Sequence, residues 1–201
     1  MDGAALLDEL RAEALVCTRC PLADTRTQVV FGVGDPAADL MFVGEGPGEH
    51  EDRLGEPFVG ASGNLLTTLI EDIGQSRQTV YIANVVKCRP PGNRDPRPDE
   101  IAACRPWLER QLELIDPTVV VTLGNFAMKL LLDTTEGITR MRGREYAYRD
   151  GRAVLIPTFH PAAVLRQRGD ALARMRADLV MAKRAIARGR AGAAGDGAAA
   201  S

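Results

Sequence analysis

The sequence has no apolar run approaching the roughly 18 residues of a membrane span, and its start, Met1-Asp2-Gly3, carries no basic and apolar leader. These absences lead to the expectation of a soluble, cytoplasmic protein with no membrane partner. Histidine is scarce, with only His50 and His160. The cysteines number four: Cys17, Cys20, Cys88 and Cys104. Disulfides are disfavoured in a cytoplasmic chain, which leaves metal binding or core packing for these thiols. No Gly-Lys-Ser/Thr ending follows the glycine-rich stretch at Gly44, so it is not a P-loop, and the acids around it would repel a triphosphate. Its spacing is not that of a dinucleotide-binding fingerprint either. There is no internal repeat.

What is present suits one domain. The chain has 201 residues, 45% of them hydrophobic, enough for a sizeable core over residues 1–188. Residues 189–201 are rich in Gly and Ala and read as a disordered tail. Four runs dense in Val, Ile and Leu predict strands buried on both faces: Asp39–Val43, Val80–Val86, Thr118–Leu123 and Ala153–Phe159. Helical periodicity lies between and after them, over Ser62–Ile73, Asp99–Ile115 (with Asp99 as its N-cap), Gly124–Leu132 and Asp170–Ala187. Alternating strand and helix predicts a three-layer α/β/α sandwich around a central, mainly parallel four-stranded sheet. The segment Arg144–Arg149 suggests a small hairpin with the last strand.

Ligands of open α/β sheets bind beyond the carboxyl ends of the strands, and each predicted strand delivers something distinctive there. The first runs into Gly44-Glu45-Gly46-Pro47-Gly48-Glu49-His50-Glu51-Asp52, a loop of glycines and acids that reads as the wall of an active site. Pro57-Phe58-Val59-Gly60 follows, an aromatic suited to stacking on a flat ring. The second strand ends with Asn84, whose amide can pair with the edge of a base. The third is followed by Gly124-Asn125. The fourth ends with His160-Pro161, an imidazole followed by an apolar stretch and Arg166. Together these are the groups needed to excise a flipped base. The cysteines form C-x2-C, a gap of 67, then C-x15-C. That spacing leaves zinc, a [4Fe–4S] cluster and unliganded burial all open. Charge is divided unevenly: residues 1–137 hold 12 basic and 22 acidic side chains, and residues 138–201 hold 13 and 5. The basic part is either a face for a polyanion or a solvated Arg-rich helix.

Several ordered motifs resemble the family 4 uracil-DNA glycosylases, the iron–sulfur type of bacteria and archaea, over roughly residues 5–185. They are Cys17-x-x-Cys20-Pro21-Leu22, Gly44-Glu45-Gly46-Pro47-Gly48-x-x-Glu51-Asp52, Gly55-x-Pro57-Phe58-Val59-Gly60, Asn84-Val85-Val86-Lys87-Cys88-Arg89-Pro90-Pro91-x-Asn93-Arg94, and His160-Pro161-Ala162. The resemblance implies a monofunctional DNA-repair hydrolase, monomeric, acting on uracil in single- or double-stranded DNA. It implies a structural [4Fe–4S] cluster on Cys17, Cys20, Cys88 and Cys104. Phe58 would stack on uracil, Asn84 would bond N3–H and O4, and His160 would donate to O2. Glu51 would stand near C5, where thymine carries its methyl, with Gly46 and Pro47 beside the base and Asn93 assisting. Glu45 is the candidate for positioning water, because these enzymes have Gly46 where better-known uracil glycosylases have an aspartate. Leu165 and Arg166 would form the wedge into DNA. The chain departs from the family's His-Pro-Ala-Tyr-Leu-Leu-Arg at Ala163 and Val164. Two alternatives are a uracil-recognising relative that traps the abasic sugar covalently and a non-catalytic iron–sulfur protein. The first needs a basic, histidine-bearing insert that is missing after Asn84, and the second leaves Phe58, Asn84 and His160 without a purpose.

Overall fold

The computed structural model describes residues 2–167 and 169–198. Six strands form one sheet: β1 (Val33–Gly34), β2 (Leu40–Gly44), β3 (Tyr81–Asn84), β4 (Val119–Leu123), β5 (Tyr146–Tyr148) and β6 (Ala153–Thr158), in the order β1-β3-β2-β4-β6-β5. The four strands expected from the sequence are its parallel centre, β3-β2-β4-β6. β1 and β5 add antiparallel edges and bring the sheet from the expected four strands to six. β5 is the expected hairpin partner of β6. β1 escapes sequence reading because two residues are too few to show a period.

The eight helices among the described residues are α1 (Gly3–Leu15), α2 (Glu49–Leu54), α3 (Ala61–Asp72), α4 (Pro98–Ile115), α5 (Asn125–Leu132), α6 (Ile138–Met141), α7 (Pro161–Arg166) and α8 (Ala171–Ala198). Strand side chains alternate between two cores, as a period of two requires. Met41, Val43 and Val120 face one layer, with Leu7 of α1 and Trp107, Leu108 and Leu112 of α4. Leu40, Phe42, Val119 and Val121 face the other, with Leu66, Leu69 and Ile70 of α3 and Met175 and Leu179 of α8. This is the three-layer sandwich. α4 begins one residue before the expected Asp99: Pro98 takes the first helical position, which has no need of an N–H, and Glu100 Oε2 accepts the Arg97 N–H at 2.8 Å. α8 runs on as far as Ala198, so backbone assigned by composition to a disordered tail is helical where it is described. Residues 199–201 of that tail lie outside the described residues.

The α8 layer meets the sheet at a polar anchor close to the carboxyl end of β6. Asp178 of α8, 1% exposed, accepts from Arg142 Nη2 at 2.6 Å and Nε at 3.0 Å, and from the Thr158 hydroxyl at 2.6 Å. The Arg142 guanidinium also lies over the ring of Phe159, 5.2 Å from its centroid, just before His160. Removing one partner of a buried pair strands the other charge, which costs about 3 kcal/mol or more. Asp178→Ala should therefore lower unfolding free energy by about that amount in urea titrations.

Candidate active site

Parallel pairing sets Gly44 beside Asn84, and the ladder continues past the strands, with the Val85 and Val86 N–H groups donating to Gly44 O at 2.9 Å and Glu45 O at 3.0 Å. The expected loop residues and the expected base-pairing amide are therefore laid side by side. Adjacent β2 and β4 send the chain to opposite layers, through α3 and α5, and a crevice opens between their ends. The result is a cleft of about 720 Å³. Glu45, Gly46, Pro47 and Glu51 line it from the β2 side, and Phe58, Asn84, Asn93, His160 and Arg166 complete it. Leu165 is not among the lining residues but stands 53% exposed next to Arg166 on α7.

Gly44 is where the site is tightest. A Cβ there would lie 2.4 Å from Asn84 Oδ1 and 2.5 Å from Phe58 Cζ, so the absence of a side chain is what lets the ring and the amide meet. Asn84 is 1% exposed, and its Oδ1 has no hydrogen-bond partner within the protein. A buried acceptor left open is costly unless a ligand supplies the donor. The Asn84 backbone is pinned from behind by buried Lys87, whose Nζ donates to Asn84 O at 2.9 Å and to Gln111 Oε1. Sequence reasoning puts Glu51 against C5 of a base. In the fold its Oε1 accepts the Val59 and Gly60 N–H groups at 3.1 and 3.3 Å, and its Oε2 accepts that of Gly48 at 3.1 Å. Those bonds turn part of the expected loop into α2 and make Glu51 a fixed wall, not a swinging side chain.

Burial acts in opposite directions on the two titratable groups that matter most. His160 is pushed down to about 4 by burial and by Arg166, against the pull of Glu51. Its Nδ1 accepts the Ala162 N–H at 3.1 Å, so the neutral ring carries its proton on Nε2. The ring centroid is 5.7 Å from that of Phe58, tilted by 34°. Glu45 is pushed up to about 7 by burial and then by Asp95, which lines the same cleft and which sequence reasoning missed. Asn93 sits at φ +56° with its Oδ1 held by Arg89 Nε at 2.7 Å. Its loop is tied to α4 by the two bonds from Arg94 to buried Glu100, at 2.9 and 2.6 Å.

Comparison with known proteins places the chain in a family. The sequence profile described as the uracil DNA glycosylase superfamily matches residues 31–182. The chain belongs to the uracil DNA glycosylase superfamily. It is 48% identical over 166 residues to the type-4 uracil-DNA glycosylase of Sulfurisphaera tokodaii, covering 79% of this chain and 76% of that protein. With the type-4 enzyme of Thermotoga maritima it shares 50% over 160 residues, 79% of this chain and 83% of the relative. The type-5 uracil-DNA glycosylase of Mycobacterium leprae is more distant, at 31% over 182 residues, 73% and 78%. Among the described residues no helix is long and apolar enough to cross a membrane.

On the far side of the sheet from α8, Cys17, Cys20, Cys88 and Cys104 line one small pocket with Trp107, Arg19 and Arg26. Among the described residues no group of three or more His, Cys, Asp or Glu side chains is disposed to hold a metal ion. Burial pushes the Cys88 thiol up to about 11 and raises Cys20 and Cys104 as well, which makes these poor nucleophiles. Two donors face the sulfurs: the Lys87 N–H lies 3.2 Å from Cys104 Sγ and Arg26 Nη1 3.6 Å from Cys88 Sγ. As for the basic C-terminal part, Arg142, Arg149, Arg174, Arg176 and Arg188 are all in ion pairs with acids of this chain. Of these, only Arg149 and Arg176 draw their acids, Asp116 and Asp72, from outside residues 138–201, so most of the basic excess of that part stands, and Arg166 reaches the cleft.

The raised Glu45 has a consequence for stability. Its ordinary value is 4.5 and its folded value about 7, so the folded state retains a proton that the unfolded chain has lost between those pH values. The stability so contributed is complete below 4.5 and gone above 7. Glu45→Gln cannot ionise and should melt higher than the parent at pH 8, with the difference shrinking towards pH 4.5 in calorimetric scans.

Proposed function

We propose that this chain removes uracil from DNA, hydrolysing the bond between C1′ and N1 of a flipped nucleotide to leave free uracil and an abasic site. The observation that carries this is Asn84 Oδ1, a buried acceptor without a partner, placed in a cleft next to Phe58 and His160. Uracil offers the missing donor at N3–H, and the Asn84 amide NH2 can donate in return to O4. Cytosine presents an acceptor at N3 and a donor at its exocyclic amine, so both bonds would be mismatched. Flipping costs a few kcal/mol of unstacking, which Phe58 offsets by stacking on the ring. Leu165, exposed on α7, is suited to fill the vacated stack beside Arg166.

As C1′–N1 breaks, its electron pair passes to the uracil and negative charge gathers on O2. His160, neutral with its proton on Nε2, donates a hydrogen bond there without first having to lose a positive charge. The sugar becomes cation-like, and Glu45 in its ionised form orients the water that adds to C1′ and takes up its proton. Glu51, immobilised by three backbone N–H groups, forms the wall that a C5 methyl would strike. Gly46 and Pro47 border the base, and Asn93 closes the opposite side.

We further propose a [4Fe–4S] cluster on Cys17, Cys20, Cys88 and Cys104. The four thiols are not drawn about one point as a single metal ion requires, but they line one pocket, with N–H donors directed at two of them. A four-iron cluster takes all-thiolate ligands spaced further apart than those of one ion. When bound, it would cross-link the N-terminal segment, the chain after β3 and α4. No step of the hydrolysis is assigned to it.

The test of the activity is a single-turnover assay on an end-labelled oligonucleotide with one uracil, against a thymine control, read before and after alkali. Cleavage only at uracil and only after alkali is expected. His160→Ala should lower the rate by about 10²–10³-fold. The rate should rise with pH through about 7 as Glu45 ionises, and Glu45→Gln should be slow and lack that rise. A slowly migrating covalent adduct, or no strand scission, would overturn the hydrolytic reading. For the cofactor, anaerobically purified protein should contain iron and acid-labile sulfide in equal amounts, and Cys88→Ser should lose both with the visible absorbance. Zinc in their place would refute the cluster.

A further inference from the structure

Phe58 has φ +54°, in the left-handed region that a residue with a bulky side chain adopts only when its surroundings enforce it. Its carbonyl is turned against the first turn of α3, where a Cβ on Gly63 would come within 1.8 Å of the oxygen. Glu51 holds the following two N–H groups, as described above. The carbonyls are held from elsewhere. Arg77, in the turn between α3 and β3, donates from Nη2 to Pro57 O at 2.7 Å and from Nη1 to Phe58 O at 3.2 Å. Pro57 and Phe58 are buried, and the guanidinium is half-buried. The loop carrying the ring is therefore gripped by a carboxylate on its donors and a guanidinium on its acceptors.

We propose that Arg77 is a positioning residue for base excision: its two bonds to consecutive carbonyls keep Phe58 in the left-handed conformation that lays the ring over Gly44 and beside His160. Arg77 lies outside the residues that line the cleft, so it acts through Phe58 and not on DNA. A planar fork reaching two carbonyls at once is specific to arginine, and a lysine ammonium offers a point charge in its place. Freed of this grip, the peptide can relax towards negative φ and swing the ring off the stacking position. The inference rests on the reading of Phe58 as the ring that stacks on uracil, and the controls separate the two.

The experiment compares Phe58→Leu, Arg77→Met, Arg77→Lys and the double variant F58L/R77M. Each is measured for maximal single-turnover rate on uracil DNA and for affinity to an oligonucleotide already carrying an abasic site, where no base is stacked. Arg77→Met should lower the maximal rate roughly 10- to 100-fold while abasic-site affinity stays within about twofold. Arg77→Lys, which keeps the charge and safeguards folding, should fall between. The double variant should be no slower than Phe58→Leu alone, because both changes remove the same contact. Arg77 variants at the parental rate, or a multiplied loss in the double variant when Phe58→Leu is itself slow, would overturn the inference. Phe58→Leu at the parental rate would instead remove the stacking role, and the inference with it.

Discussion

The parallel pairing of β2 between β3 and β4 is the constraint on which the site depends. Because the register sets Gly44 opposite Asn84 and extends through Val85 and Val86, the acidic loop and the Asn84 amide leave the sheet at one level. A slip of one residue would turn Asn84 to the other face of the sheet and carry the open acceptor away from the cleft. Register is held by burial on both faces: Met41 and Phe42 are fully buried in opposite cores, so no neighbouring register satisfies both layers.

On that frame, the recognition groups are tuned by removal of water more than by charge. Withdrawal from solvent leaves His160 a neutral donor and Glu45 a carboxylate close to half-protonation at neutral pH. It also leaves Asn84 Oδ1 without a competing partner in the protein. The charged side chains do a different task. Glu51 and Arg94 hold loops by backbone and carboxylate contacts, and Asp178 ties β6 to α8 behind His160. Ions thus fix the walls of the cleft, while Asn84 and the neutral His160 line its interior.

Much of this site was legible in the chain itself. Asn84, His160 and the glycine-rich loop sit at or just beyond the ends of buried runs recognisable from Val, Ile and Leu alone, and Phe58 stands out between proline and glycine in the segment that follows that loop. Glu51 was legible as a site residue, yet its three backbone bonds were not, since they depend on α2 forming at Gly48 and bringing the Phe58 loop over it. Asp95 gave no signal, because one acid among several in a polar loop looks like solvated charge until burial brings it near Glu45. The pairing of the Arg-rich end was equally illegible, since Asp72 and Asp116 reach Arg176 and Arg149 from segments distant in the chain.

The first helix, α1, and the two-residue β1 went unread, but the sequence by itself determined the four parallel strands, the helices α3, α4, α5 and α8, the alternation that makes a three-layer sandwich, and the residue types gathered at the strand ends. These follow from local periodicity and from backbone preferences, which need no distant partner. Only the tertiary structure decided the conformation of Phe58, the neutral state of His160, the raised proton affinity of Glu45 and the gathering of four cysteines from three segments around one pocket. Each of those depends on desolvation or on a contact between residues far apart in the chain, and neither exists until the layers have closed on the sheet.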